Sequence, residues 1–156
     1  MEATPVTGPE LAALLRLLGD LDAHSIAIGH ARDDPFRTAA AEVAAAWRDG
    51  GGVVTATADW PEEAASWLRQ ARRLTAYAPD AWVVLARPPG WLGMGRRLAA
   101  STDWTPTRTV AGSALADASV AAAGVFDGLR GATADGGTWY VRGRLLVTHP
   151  PTPDCP

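Results

Sequence analysis

Residues 25–36 read SIAIGHARDDPF, a stretch in which a buried strand leads directly into the start of a helix. Ser25 to Gly29 is short and apolar, as expected of a strand that is covered on both faces. The following Asp33-Asp34-Pro35 places two acidic residues and a proline where the first turn of a helix favours them. A strand followed at once by a helix is the repeating unit of a parallel sheet.

The same alternation continues on both sides of this stretch. A preceding helix is predicted from four leucines at i, i+3, i+4 and i+7, and it ends at Gly19. Further strands are predicted at 53–57, 81–86 and 108–111, helices at 59–74 and 91–100, a loop or helix at 112–123, and a hairpin of strands 138–141 and 145–148. The fold class is therefore α/β, a three-layer, doubly wound and mostly parallel sheet with strand 25–29 in its interior. Residues 1–8 are expected to be a flexible lead, 9–149 a single domain and 150–156 a proline-rich tail.

Composition excludes several classes of function. The 156 residues are 47% hydrophobic and 20% charged, which is typical of a globular domain. A net charge of -3 argues against a nucleic-acid surface or a polybasic membrane surface. All 14 basic residues are arginine, so Schiff-base chemistry and a P-loop lysine are excluded. One cysteine, Cys155, forms neither an internal disulfide nor a cysteine zinc site. No secretory signal or membrane span is visible, so a cytoplasmic location is expected.

Five segments occur in a fixed order along the chain: SIAIGH at 25–30, DDPFR at 33–37, GGVV at 51–54, APDAWVVL at 78–85 and RTVAGSALAD at 108–117. Their types and order resemble the second lobe of type I periplasmic-binding proteins, particularly branched-chain amino-acid receptors. The resemblance covers residues 10 to 141 and implies a flavodoxin-like lobe.

The resemblance also implies a function. Members of that family bind a solute between two lobes, and this chain is long enough for one, so a partner or a second copy is expected to supply the other wall. Ala114 stands where the receptors carry an acid for the amino group of the ligand, so tight binding of branched-chain amino acids is not expected. We expect a non-enzymatic binding or sensor module that works with a partner protein or as a homodimer.

A binding site is expected beyond the carboxyl ends of the strands, where ligands lie in doubly wound sheets. Backbone N–H groups at helix starts suit an anion or carboxylate there. The alternatives are that Asp33, Asp59 and Ser113 cap helices and that the aromatic residues only pack. The candidate ligand-binding residues are His30, Asp33, Phe36, Asp59, Trp60, Trp91 and Ser113.

An enzymatic alternative rests on His30. The stretch GHARDDP at 29–35 resembles the histidine turn of small sirohydrochlorin or cobalt chelatases, in which the histidine holds the metal. Such chemistry needs a second histidine on a neighbouring loop, and the loop after Leu85 contains none. A satisfied or solvent-facing histidine is the simpler interpretation, and no cofactor or metal is expected. No nucleophile elbow or dinucleotide-binding glycine motif is present.

The tryptophans suggest an association surface. Trp47, Trp67 and Trp82 fit core positions, whereas Trp104 and Trp139 are expected to be partly exposed. An apolar rim of loops at the strand ends is expected to face water and to bind a protein partner or a second copy. Its residues are Phe36, Trp60, Pro88, Pro89, Trp91 and Leu92.

Overall fold

A computed structural model describes residues 6–151, so Cys155 and most of the predicted lead and tail lie outside the described residues. The predicted domain bounds therefore stay a prediction. Five helices and seven strands follow one another in the described part of the chain: α1 (Gly8–Asp20), β1 (Ser25–Ala31), α2 (Asp34–Asp49), β2 (Val53–Trp60), α3 (Leu68–Thr75), β3 (Ala81–Leu85), α4 (Pro88–Ser101), β4 (Thr109–Ala111), α5 (Ala118–Ala122), β5 (Arg130–Ala132), β6 (Thr138–Arg142) and β7 (Leu145–His149).

The strands form one sheet in the order β2-β1-β3-β4-β5-β6-β7. The first five in this order are parallel, while β6 and β7 are antiparallel additions at one side. The predicted α/β class, the interior position of β1 and the final hairpin are confirmed. At the amino ends of the strands, Asp80 accepts hydrogen bonds from the backbone of His24 and Ser25, which fixes β3 against β1.

Helices cover both faces of the sheet because parallel strands need right-handed crossovers. α1 packs against β4 and β5, α2 packs against β1 and β2, and α3 and α4 pack against each other. Every residue of β3 is buried, as is β1 after its first residue. The apolar strand predicted around Trp82 is therefore interior, as expected.

An aromatic cluster fills the core beneath α3 and α4. Trp91 stacks on Phe126 with ring centroids 5.3 Å apart, and its centroid lies 6.2 Å from that of Trp60 and 5.7 Å from that of Trp104. Trp60 and Trp91 have no exposed surface, and Trp104 and Trp139 are also buried. The expected exposure of these four side chains is therefore wrong. Trp60 ends β2 and Trp91 lies in the first turn of α4, and their indoles pack into this cluster because burial removes a large apolar area from water.

Two element boundaries also differ from the sequence prediction. A helix was expected to open at Asp59, but β2 continues to Trp60 because Asp59 and Trp60 pair with the last two residues of β1. The helix, α3, begins only at Leu68. β5 was not predicted, since its three residues carry no apolar pattern and form a strand only by pairing with β4 and β6.

Candidate functional site

Four loops meet at the edge formed by the carboxyl ends of β1 to β4. The register places the ends of these strands side by side: His30 of β1 pairs with Asp59 of β2 on one side and with Leu85 of β3 on the other. Gly112, directly after β4, donates its N–H to the carbonyl of Val84 at 2.9 Å. We call this region the strand-end edge.

His30 is the buried histidine of this edge. It is 5% exposed, and its Nδ1 lies 2.6 Å from the carbonyl oxygen of Ala31. Because a carbonyl oxygen only accepts, Nδ1 carries the hydrogen and donates it.

Arg87 and Asp33 connect two of the loops. The guanidinium donates from Nη1 and Nη2 to the two carboxylate oxygens at 2.7 and 2.6 Å, a bidentate pair. These hydrogen bonds hold the pKa of Asp33 below its usual range, and the same pairing raises the pKa of Arg87. The guanidinium carbon of Arg87 also lies 4.7 Å from the centroid of the Phe36 ring, a cation–π contact. The ring of Phe36 therefore packs beneath the ion pair.

A second ion pair joins the loop after β1 to the end of β2. Arg32 donates from Nε to Asp59 at 3.1 Å, with both side chains about half exposed. Arg37, in the first turn of α2, donates to the carbonyl of Arg32 at 3.0 Å. Two arginine–aspartate pairs therefore lie on the exposed part of this edge.

Glu10 reaches this edge from α1, a position that sequence reasoning missed. Its carboxylate accepts from the backbone N–H of Ser113 at 3.0 Å and from the Ser113 hydroxyl at 3.1 Å. Sequence offers only a local signal for Glu10, because it follows the helix cap Thr7 by three residues, the spacing of a capping box. That spacing does not predict the contact of Glu10 with Ser113, which is 103 residues away in the sequence.

Glu62, in the segment between β2 and α3, contacts the start of α4. Its Oε1 accepts from the N–H of Gly90 at 3.1 Å. The two preceding helical residues, Pro88 and Pro89, have no N–H, so Gly90 supplies the first donor of the helix. The side chain of Arg87, the N-cap residue, makes no capping hydrogen bond, and the carboxylate of Glu62 takes that role.

The structure therefore brings together four of the seven candidate residues, His30, Asp33, Asp59 and Ser113, at the strand-end edge. Phe36 lies beneath Arg87, and Trp60 and Trp91 lie in the core below. The ligand-binding role of all seven stays a prediction. Asp33 does not cap α2 through its side chain, so the helix-capping alternative does not account for it.

Metal chemistry gains no support at His30. Within residues 6–151, no group of three or more histidine, cysteine, aspartate or glutamate side chains is arranged to hold a metal ion. The chelatase hypothesis stays a prediction. In the same range, no helix is both long and apolar enough to cross a membrane.

Cavities lie at both ends of the parallel strands. One of about 350 Å³ adjoins the strand-end edge and is lined by Thr57, Ala58, Asp59, Arg69, Gln70 and Arg73. A larger groove of about 620 Å³ lies at the amino end of β3, between the carboxyl ends of α3 and α4. The larger groove contains none of the candidate residues, and neither of its two ionisable side chains, Arg72 and Asp103, is buried. Size alone does not make it the better candidate.

Comparison with solved structures identifies the architecture. A putative branched-chain amino acid ABC transporter protein from Rhodospirillum rubrum superposes with a TM-score of 0.67 and 18% identity, covering 81% of this chain and 37% of that one. The fold is that of one lobe of a type I periplasmic-binding protein. A branched chain amino acid ABC transporter periplasmic ligand-binding protein from Burkholderia xenovorans gives a TM-score of 0.63 at 12% identity, covering 80% and 34%. A similar protein from Silicibacter pomeroyi gives 0.61 at 17%, covering 81% and 34%.

These similarities establish the fold that the sequence predicted. The chain spans about a third of the length of these solved structures, which corresponds to a single lobe. No family model matches the sequence, and no curated protein is significantly similar to it.

Proposed function

We propose that this chain is a non-enzymatic binding module whose strand-end edge forms one wall of a small-molecule site. The observation that carries the proposal is the set of polar groups on adjacent strand ends of a binding-protein lobe: His30, the Arg87–Asp33 pair and the Arg32–Asp59 pair. In doubly wound sheets, this edge is where ligands bind.

The expected ligand is a small molecule that carries a carboxylate or another anionic group. Arg87 presents its guanidinium in bidentate geometry, and a carboxylate is the natural partner of that geometry. In the free chain, Asp33 occupies this position. A ligand carboxylate would therefore compete with Asp33 for Arg87.

One wall encloses a ligand poorly, because binding sites normally bury most of the surface of a small ligand. In our proposal, the second wall comes from a partner protein or from a second copy of the chain. The contact would use the arginines and aspartates of the strand-end edge, since Trp60 and Trp91 are buried and offer no surface. The sensor role and the cytoplasmic location belong to the same proposal.

The test is a titration of the isotope-labelled chain with acetate, succinate or phenylacetate. The NMR chemical shifts of the backbone amides are recorded at each ligand concentration. We expect saturable shifts at residues 30–34, 85–90 and 112–114. Asp33→Asn is expected to strengthen binding several-fold because it frees Arg87 without removing a helix cap, whereas Arg87→Ala is expected to weaken it by about tenfold.

The matched control is Arg48→Ala, which removes an exposed arginine from the last turn of α2 at the other end of the sheet. It is expected to leave the titration unchanged. Shifts confined to the groove at the amino end of β3, or the same affinity in Arg87→Ala, would contradict the proposed site.

A further inference from the structure

The outer side of β7 is an open edge of the sheet within residues 6–151, since β7 pairs there with β6 alone. Val141 of β6 uses its N–H and C=O on Leu129 and Gly128, which precede β5. It is therefore not hydrogen-bonded to Leu146, the residue opposite it in β7. Because bonded and non-bonded pairs alternate along an antiparallel ladder, Leu146 and Thr148 point their N–H and C=O groups away from β6. In the same range no hydrogen bond reaches these outer groups.

The opposite side of the sheet is protected against a further strand. At β2, the side chain of Arg73 donates from Nε to the carbonyl of Thr57 at 2.8 Å, so this acceptor is occupied. The register between β1 and β2 also shifts at Thr55, and such an irregularity disturbs pairing with another strand. Neither feature occurs in β7 as the structure describes it, and its first four residues, 145–148, carry no charge. β7 therefore lacks the features that usually keep an edge strand from pairing.

The sequence of β7 fits a second copy of itself. When two copies run antiparallel about a two-fold axis through Val147, Leu146 of each copy faces Thr148 of the other. Each facing pair then exchanges both of its N–H···O hydrogen bonds. A register centred on Thr148 would instead place Leu146 opposite Pro150, which has no N–H. A register centred on Leu146 would place Thr148 opposite Arg144 of the hairpin turn.

Charge and exposed apolar surface favour the same arrangement. In the antiparallel pairing the two copies of Arg144 lie about 20 Å apart, beyond the Debye length of about 8 Å, whereas a parallel pairing would place them side by side. Leu145 is 70% exposed in the single chain. In the pair it faces His149 of the second copy and loses part of that exposure.

We propose that β7 is a self-association surface through which two copies of the chain join their sheets edge to edge. A five-residue strand buries less than the roughly 800 Å² per partner that is typical of stable complexes, so the dimer is weak, with a dissociation constant on the order of 0.1 mM. The inference does not depend on the proposed function. The two-fold axis turns the two strand-end edges in opposite directions, which leaves a partner protein to supply the second wall.

The test is disulfide cross-linking in a Cys155→Ser background, which removes the native cysteine. Val147→Cys is expected to form a linked dimer, because the axis brings its two copies together as a non-hydrogen-bonded pair with Cα atoms about 4.5 Å apart. Leu145→Cys is the matched control, since it is the more exposed position, yet its two copies would lie about 14 Å apart. At equal protein concentration, Val147→Cys is expected to cross-link at least about tenfold faster.

Sedimentation velocity provides a second measurement without cysteines. The wild-type sedimentation coefficient is expected to rise between about 10 μM and about 1 mM protein, on either side of the expected dissociation constant. Thr148→Pro removes one outer N–H, and an edge strand accepts proline where its N–H faces solvent. This variant is expected to stay monomeric over the same range, with circular dichroism as the check that it folds.

Three results would overturn the inference: equal cross-linking of Val147→Cys and Leu145→Cys, a wild type that stays monomeric at the higher concentration, or association that persists in folded Thr148→Pro. If Thr148→Pro fails to fold, the two cysteine variants still decide the question. None of these outcomes affects the carboxylate titration that tests the proposed function, so the two proposals fail separately.

Discussion

Close contacts between glycines and aromatic rings determine how the core packs at the level of single residues. A Cβ atom on Gly29, in the middle of β1, would lie 2.6 Å from two ring atoms of Trp60. A Cβ on Gly95 of α4 would lie 2.5 Å from the ring of Phe126. In both places the ring occupies the volume of a missing side chain.

Gly29→Ala is therefore expected to destabilise the fold by about 1–3 kcal/mol, because the indole of Trp60 has no free space to move into. Urea unfolding followed by circular dichroism measures the change. Gly19→Ala is the control, since nothing lies within 4 Å of the corresponding Cβ in α1. It is expected to be neutral or to stabilise the helix by up to about 1 kcal/mol. Equal stability of wild type and Gly29→Ala would contradict this account of the core.

The pair of Arg87 and Asp33 gives stability a defined dependence on pH. Arg87 lowers the pKa of Asp33 from its usual value of 3.8, so the folded chain binds fewer protons than the unfolded chain near that pH. The pair therefore stabilises the fold fully above about pH 5 and ceases to do so as pH falls through the lowered pKa. The effect is small because both side chains are more than a third exposed.

Arg87→Ala is expected to raise the pKa of Asp33 towards its usual value, because the first cause of the shift is removed. The pKa is measured from the NMR chemical shift of the side-chain carboxyl carbon of Asp33, recorded between about pH 2 and 6. Asp80, whose pKa is lowered by the backbone N–H groups of Ser25 and His24, serves as an internal reference and is expected not to change. A rise in the pKa of both Asp33 and Asp80 would instead indicate that the variant has unfolded.

Sequence reasoning located single residues well where they lie at the end of a strand or shortly after it. His30, Asp33 and Ser113 lie at the strand-end edge because the alternation of strands and helices fixes which loops meet there. Glu10 was missed because its position after Thr7 is typical of a helix cap, whereas its partner is 103 residues away. The burial of Trp60 and Trp91 depends on their packing against each other and against Phe126, which are far apart in sequence, so no local pattern predicts it.

At the scale of elements, the start of α4 depends on a distant side chain. Since Pro88 and Pro89 lack an N–H, the capping contact of this helix is the hydrogen bond from Gly90 to Glu62. Glu62→Ala is expected to destabilise the chain by about 1 kcal/mol, the usual effect of losing a cap, and to speed amide exchange at Gly90 and Trp91.

Glu63→Ala is the matched control for this prediction. Glu63 is the next residue, carries the same charge and is exposed. Hydrogen exchange measured on both variants separates loss of the specific contact from loss of negative charge near α4. Similar exchange at Gly90 in both variants would show that Glu62 does not cap the helix.

Element boundaries were predictable where pattern and pairing agree. β3 and the last hairpin follow apolar or alternating residues and were predicted within a residue or two. β2 was predicted too short because Asp59 has the features of a helix start, yet pairing with His30 extends the strand. Tertiary pairing outweighs a local capping signal there.

For the whole molecule, the proposed single wall is expected to limit the affinity for a ligand. Leucine and valine are expected to bind the isolated chain more weakly than about 1 μM, because half of the ligand stays in water and Ala114 offers no charge. Calorimetry on the isolated chain measures this, with glycerol as a neutral control. Micromolar binding of either amino acid would show that the isolated chain binds these ligands tightly without a second wall.

The parallel sheet and the interior position of β1 were predictable because alternating strands and helices leave few chain paths. The added strand β5 was not, since it depends on β4 and β6 for pairing, and neither was the depth at which the aromatic side chains lie.

The aromatic cluster around Trp91 has an optical consequence. Indole rings that lie about 6 Å apart at fixed angles couple their electronic transitions, as Trp60 and Trp91 do here. Such coupling produces paired bands of opposite sign in circular dichroism, and buried indoles emit at shorter wavelengths than hydrated ones. The chain thus carries an internal spectroscopic reporter whose signal disappears when the packing beneath α3 and α4 loosens, even where the helices themselves persist.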